Sequence, residues 1–182
     1  MNIILRNKNL ILKTLNKNDY SKKYLNWLED KKINKFLETR FKKNSKKDIL
    51  DFIKINYLSK DSYLFGIFVD EINLDKHIGN IKIGPINRNH KYGYVSYFIG
   101  DLNSWGKGYA TLSVNMITSF AFNKLCLNKC IAGVYSSNKG SIKVLKKNKY
   151  IREGNLKSQL LFNNKYEDEY VFCCYKKNFK KI

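Results

Sequence analysis

Phe98-Ile99-Gly100-Asp101-Leu102-Asn103-Ser104-Trp105-Gly106-Lys107-Gly108-Tyr109-Ala110-Thr111 leads a strand through Gly-x-Gly directly into a helix. Tyr92 to Ile99, which feeds the stretch, is rich in the aromatic and β-branched residues that strands prefer. Beyond it, Ala110, Val114, Ile117 and Phe120 to Phe122 keep a helical period that ends near Leu125. At a helix start the first backbone N–H groups lack intrahelical acceptors and carry the positive end of the dipole. Glycine at 106 and 108 lets that backbone approach a bulky anion without Cβ contact, and Lys107 adds charge. A pyrophosphate suits such a loop. The alternative is a tight turn that needs glycine for geometry alone. The third glycine of a dinucleotide fingerprint and the Gly-Lys-Ser/Thr of a P-loop are both missing, so this is a phosphate site of another kind or none.

Working outward, Tyr63 to Val69, His77 to Ile83 and Tyr92 to Ile99 are expected to pair as an antiparallel meander. The second run should stop at Gly84-Pro85, which holds the chain's one proline. Asp70 to Asp75 and Asn87 to His90 read as the connecting turns. Leu10 to Leu15 is an earlier strand, and Asn16 to Asp19 offers caps for an amphipathic helix carrying Tyr20, Tyr24, Trp27 and Leu28. Ile33, Phe36 and Leu37 suggest a short helical turn, and Glu38 to Phe41 a loop. Ser45 caps a helix whose apolar side is Ile49, Leu50, Phe52, Ile53 and Tyr57. Downstream come a strand over Cys130 to Tyr135 and a helix over Asn138 to Asn148. An irregular strand over Tyr150 to Phe162, a turn at Asn163 to Lys165 and a last strand over Tyr166 to Tyr175 follow. The pattern predicts one α/β domain over residues 1–182, with a mixed, mostly antiparallel sheet flanked by helices.

A length of 182 residues with 43% apolar content supports a real core. No apolar run is long enough to cross a bilayer and the N-terminus lacks a signal-peptide pattern, so a cytoplasmic protein without membrane insertion is expected. Cys126, Cys130, Cys173 and Cys174 form no CxxC pair and no His stands at zinc spacing, which predicts buried or half-buried thiols and no metal. The formal charge of +20 fits a nucleic-acid surface, attraction for an anionic small molecule, or compositional drift. Arg is scarce and Lys is spread along the whole chain, whereas nucleic-acid readers concentrate charge and use Arg forks, so a nucleic-acid partner is disfavoured.

Trp105-Gly106-Lys107-Gly108-Tyr109-Ala110-Thr111 resembles the CoA pyrophosphate loop of GNAT superfamily N-acetyltransferases, Gln/Arg-x-x-Gly-x-Gly/Ala, with Asn103 at the usual Gln/Arg position. Asn138-Lys139-Gly140-Ser141-Ile142-Lys143-Val144-Leu145-Lys146-Lys147 resembles the family's second CoA helix. Tyr150 to Leu156 resembles the Gly-Phe/Tyr-x-x-Glu-Gly strand, with Lys149 in place of the first glycine. Asn164-Lys165-Tyr166-Glu167-Asp168 resembles a segment of the RimJ/RimL-like branch, as do Leu10 to Lys13 with Asp19 and Tyr24 to Leu28. The likeness covers almost the whole chain.

The resemblance implies a GNAT-type sheet splayed between the fourth and fifth of the strands counted above, those ending at Ile99 and beginning at Cys130. It implies acetyl-CoA as donor and direct attack of a primary amine on the thioester. Backbone at Phe98, Ile99 and Gly100 should pair with the pantetheine arm, and Trp105, Gly106, Lys107, Gly108, Tyr109, Ala110 and Thr111 should hold the pyrophosphate. Asn138 should reach the pantetheine, and Ser141 should lie near the thiol. Many relatives dimerise, which leaves a homodimer open.

The leaving thiolate wants a proton donor and the amine wants a base. Ser141 is the candidate donor; its other reading is a small residue admitting the cofactor. Leu145 stands where many members carry Tyr. Gln159-Leu160-Leu161 stands where ribosomal-protein members carry Glu, which argues against a protein N-terminus as acceptor. Candidate bases are His90, Glu38 and Tyr97, with Tyr97 also assigned to the acceptor site. Glu38 and Arg40 occupy the branch's acceptor loop, where Arg40 would hold a phosphate or carboxylate. Solvated turn and helix-end positions are the alternative readings of His90 and of the Glu38–Arg40 pair. Phe65-Gly66-Ile67-Phe68, His77 to Asn87, and His90 are similar to members associated with bacterial surface sugars, which points to a nucleotide-linked amino sugar. A protein N-terminus, a polyamine or an aminoglycoside are the other acceptors. A non-catalytic nucleic-acid binder, or a CoA-binding fold without turnover, are the readings of another class.

Overall fold

The computed structural model describes residues 2–71 and 74–179. Strands β1 (Ile4–Asn7), β2 (Leu10–Thr14), β3 (Tyr63–Glu71), β4 (Leu74–Asn87), β5 (Tyr92–Ile99), β6 (Lys129–Tyr135), β7 (Ile151–Phe162) and β8 (Lys165–Tyr175) form one sheet in the order β1-β2-β3-β4-β5-β6-β8-β7. Every neighbouring pair is antiparallel except β5 and β6. Helices α1 (Lys22–Glu29), α2 (Lys31–Asn34) and α3 (Lys46–Leu58) precede the meander, and α4 (Tyr109–Asn123) and α5 (Lys139–Lys147) supply the later crossovers.

Period-two alternation gives the sheet two apolar faces, each covered by helices. Phe65, Ile67, Ile81, Ile83, Val95, Ala132, Val134 and Phe172 pack with Val114, Ile117 and Ala121 of α4. On the opposite face, Tyr24, Trp27 and Leu28 of α1 and Ile49 and Ile53 of α3 close over Leu15, Leu64, Phe68 and Phe98. Burying each large aliphatic or aromatic side chain contributes about 1.5–3 kcal/mol, so both faces anchor the strands that frame the site.

Local chemistry sets the helix starts, with some departures from expectation. Ser45 caps α3 in a capping box with Asp48. Asn16 caps the short 3-10 turn Lys17–Asp19, whereas Ser21 caps α1, which leaves Tyr20 ahead of the helix. On α3 the buried positions are Ile49, Ile53 and Asn56 at helical spacing, while Phe52 and Tyr57 point to solvent. α2 ends at Asn34, before Phe36 and Leu37, and Glu38–Phe41 is a 3-10 turn rather than an open loop.

β4 does not stop at Pro85. It runs on to Asn87, and its register with β5 shifts between Ile83 and Ile86. Gly84 (φ +143°) and Pro85 bulge out there, so the missing proline N–H costs no ladder bond. β1 is a short additional strand beyond the expected set. The turn read at Asp70 to Asp75 is narrower, since β3 reaches Glu71 and β4 resumes at Leu74; Ile72 and Asn73 lie outside the described residues. Cys126 is exposed, whereas the other three cysteines are buried. Among the described residues no helix is long and apolar enough to cross a membrane.

β5 and β6 pair only from Tyr92↔Lys129 to Tyr94↔Ile131 and then part, while β6 stays paired with β8 from Lys129↔Tyr175 to Tyr135↔Glu169. With β1 included, the splay lies between the fifth and sixth strands. It opens the sheet beside the start of α4.

Candidate active site

On the α4 and α5 side of the splay the Gly-x-Gly loop is shaped for close approach. Gly106 and Gly108 have φ of +76° and +85°, and a Cβ on either would meet nothing within 4 Å. Gly108 is the N-cap of α4 and supplies no side-chain acceptor, so the first-turn N–H groups face outward uncapped. This donor set and open cradle fit a pyrophosphate. The Trp105 indole donates to the Ile99 carbonyl at 2.9 Å, and the Ser104 hydroxyl to Asp101 at 2.7 Å. Lys76 pairs with Asp101 at 3.1 Å. Gly100 donates to the Ile78 carbonyl at 2.8 Å, and a Cβ there would lie 2.1 Å from Trp27. The loop is thus tied to β4 and α1.

Asn138 caps α5, its Oδ1 accepting from the Ser141 backbone N–H at 3.1 Å. Its amide nitrogen is not used in that cap. Tyr97 shares the core-facing side of β5 with Val95, and its hydroxyl donates to the Ser141 carbonyl at 3.4 Å. Burial pushes the Tyr97 hydroxyl pKa up to about 12, so it keeps its proton at neutral pH. The structure therefore brings Tyr97 together with Ser141 on the α5 side, whereas sequence reading had assigned it to the acceptor.

Across the sheet, the Tyr135 hydroxyl donates to Glu38 Oε1 at 2.9 Å and accepts from Arg40 Nη2 at 2.7 Å. Arg40 also donates to the carbonyls of Leu161 at 2.7 Å and Leu37 at 3.1 Å, with its guanidinium 5.0 Å from the Tyr135 ring centre. Phe36 stacks on Phe162 at 5.1 Å. These contacts fasten the Glu38–Phe41 turn onto β6 and β7. Burial raises the Tyr135 hydroxyl pKa, with Arg40 opposing and Glu38 adding to the rise.

A residue that sequence reading missed completes this side. Glu169 stands opposite Tyr135 in the β6–β8 register, and a Cβ on Gly133 would lie 1.9 Å from its Oε1. The carboxylate therefore lies across the glycine, on the Glu38 and Tyr135 face and just past the last β5–β6 pair. Burial, and then the charge of Glu38, raise its pKa above the usual carboxylate range. One signal was available: Tyr170, Phe172 and Cys174 point to one core and Val171 and Cys173 to the other side, so Glu169 is a carboxylate on an apolar alternation.

Residues 9–151 match the family described as the acetyltransferase (GNAT) domain. The chain belongs to that family. The protein "Probable N-acetyltransferase YjcK" of Bacillus subtilis (strain 168) is 34% identical over 116 residues, 63% of this chain and 62% of that protein, so the match spans less than two thirds of its length. A spermidine N-acetyltransferase from Vibrio cholerae, solved with CoA and spermine, shares the fold at a TM-score of 0.82 and 19% identity, over 94% of this chain and 98% of that one. RimL, a ribosomal α-N-protein acetyltransferase in complex with coenzyme A, does so at 0.84 and 16%, over 95% and 98%.

Within this GNAT chain the matched segment holds the glycine loop, Glu38, Arg40 and Tyr135, while Glu169 and all of the β7–β8 hairpin but Ile151 lie beyond it. His90 is not brought to the others. It is exposed in the turn before β5, its backbone N–H donating to Asn87 Oδ1 at 2.9 Å, at the end where β5 and β6 are still paired. The segments that suggested a sugar acceptor are largely core. His77 stacks on Phe68 at 4.7 Å, lies 5.0 Å from Trp27 and bonds to the Gly79 carbonyl and to Asn80, each at 2.9 Å. Burial lowers its imidazole pKa. Among the described residues no three His, Cys, Asp or Glu side chains come together as a metal site.

Proposed function

We propose that the protein is an acetyl-CoA-dependent N-acetyltransferase whose acceptor is a primary amine held by Glu38, Tyr135 and Glu169, with residues 1–182 acting as one catalytic domain. The observation that carries this reading is the raised carboxylate of Glu169 lying across Gly133, where β5 and β6 part. When bound, acetyl-CoA supplies an acyl carbon activated as a thioester, so that attack by the amine forms a C–N bond and releases a thiol. The uncapped start of α4 and Lys107 hold the pyrophosphate. Glu38 and Tyr135 orient the ammonium, and Glu169 takes its proton to give the neutral nucleophile. Tyr97 and Ser141 are the two hydroxyls on the α5 side that can return a proton to the departing sulfur.

The finer acceptor, a nucleotide-linked amino sugar, rests on segments that the fold uses as core. It is kept as one member of the class argued below. The compartment proposed with this reading is the cytoplasm, as the spacing of the four cysteines led the sequence to suggest.

The test is the melting temperature with and without acetyl-CoA. A ligand at about 100 times its Kd adds about 2.7 kcal/mol, an upward shift of about 5–10 °C for this size. No shift at millimolar acetyl-CoA removes the cofactor and this function with it.

A further inference from the structure

We propose that the cavity walled by α2, the Glu38–Phe41 turn and the β7–β8 hairpin is an anion subsite that takes a phosphoryl group carried by the amine acceptor. This rests on the N-acetyltransferase reading above and adds the class of molecule that brings the amine.

The cavity measures ≈ 380 Å³, and its lining includes Lys31, Lys35, Arg40 and Lys42 against the single carboxylate of Glu29. That carboxylate accepts from the Asn44 backbone N–H at 2.8 Å, a bond that holds its pKa down and keeps it charged, so it offsets one of the cations and leaves the others in excess. Lys42 is neutralised by Asp48 at 2.9 Å. Among the described residues, Lys31, Lys35 and Arg40 form no ion pair. Lys35 rests instead over the Phe36 ring at 4.9 Å, and Arg40 spends its bonds on Tyr135 and on backbone carbonyls. Cations gathered around a concavity repel one another and concentrate a field that a dianion relieves.

Arg40 joins this cavity to the acceptor face, since the residue lines the pocket and its guanidinium donates to the Tyr135 hydroxyl that binds Glu38. The two halves have opposite sign: carboxylates of Glu38 and Glu169 for an ammonium, and cations of α2 and the turn for a phosphate. A small molecule with an amine and a phosphoryl group matches both, as an amino-sugar phosphate or a nucleotide-linked amino sugar does. A polyamine tail would meet the lysines with like charge.

The experiment is a thiol-release assay at saturating acetyl-CoA with glucosamine, glucosamine 6-phosphate, a uridine-diphosphate amino sugar with a free amine, and spermidine. Wild type should favour a phosphorylated amine over glucosamine in kcat/KM, and the two phosphorylated compounds separate a monoester from a nucleotide source. Lys31→Glu/Lys35→Glu should cut that preference on the order of 100-fold, as expected for losing two charge-assisted contacts and gaining repulsion. A charge-matched Lys54→Glu/Lys124→Glu control should keep it. Turnover of amines with no phosphate preference, or a preference that survives Lys31→Glu/Lys35→Glu, overturns the subsite and leaves the acetyl-transfer reading standing. If no amine is turned over, the acetyl-transfer reading fails. The subsite is then decided by calorimetric binding of glucosamine 6-phosphate, which must be present in wild type and lost in Lys31→Glu/Lys35→Glu.

Discussion

Gly133→Ala separates the chemistry of Glu169 from folding. The new Cβ would stand 1.9 Å from Glu169 Oε1 and 3.1 Å from its Cδ, while the nearest backbone of β8 is not among its close neighbours. Ordinary contact begins near 3.4 Å, so the carboxylate must retreat by about 1.5 Å, a cheap rotation for the end of a flexible side chain. The Gly133↔Val171 register is unaffected. Replacing a strand glycine by alanine removes an entropic cost of about 0.5–1 kcal/mol, so the melting temperature should hold or rise by about 1–4 °C. A misplacement of about 1 Å costs on the order of 100-fold in rate, and loss of a general base costs on the order of 100- to 10,000-fold. Gly133→Ala should therefore lose about 100-fold in kcat, and Glu169→Gln at least as much, both with acetyl-CoA affinity retained. Thiol release, melting temperature and acetyl-CoA calorimetry on the same samples read all three. A Gly133→Ala protein with wild-type kcat and an intact fold would refute the base assignment.

Other consequences follow from the same geometry. Because Glu169 must be ionised to accept a proton and its pKa lies above the ordinary 4.5, kcat/KM should rise with pH through a limb above that value. Glu38→Gln removes the charge that helps to raise it and should move the limb to lower pH; an unmoved limb would separate the two residues. Gly108→Ala places a side chain at φ +85°, a strain of about 1–2 kcal/mol, and fills the cradle, so acetyl-CoA Kd should rise at least about tenfold by calorimetry. Gly100→Ala would set a Cβ 2.1 Å from Trp27 and should destabilise by about 1–3 kcal/mol, seen as a lower urea midpoint.

Sequence reading reached furthest where local chemistry decides structure. Tyr92 to Ile99 folds as the expected strand, Gly108 ends the loop where α4 begins, and Ser45 caps α3 as its box with Asp48 requires. The parting of β5 and β6 followed from the family resemblance carried by the glycine loop and α5. What stayed hidden depends on partners distant in the chain. Glu169 becomes part of the site only through the Tyr135↔Glu169 register and the missing side chain at Gly133, neither visible within its own segment. His90 looked suitable by residue type, but strand direction puts it at the closed end of the splay. Tyr97 faces α5 because alternation pairs it with Val95 and opposes it to Phe98, which packs against Trp27. The proline read as a strand end because the bulge that accommodates it exists only once β5 is alongside.

The most direct test of the central claim is amine-dependent thiol release from acetyl-CoA, with the N-acetylated product identified by mass. The account predicts release that needs a primary amine, yields one acetylated amine per thiol and collapses in Glu169→Gln. Thiol release that ignores the amine, or none with any primary amine while acetyl-CoA binds, would contradict it.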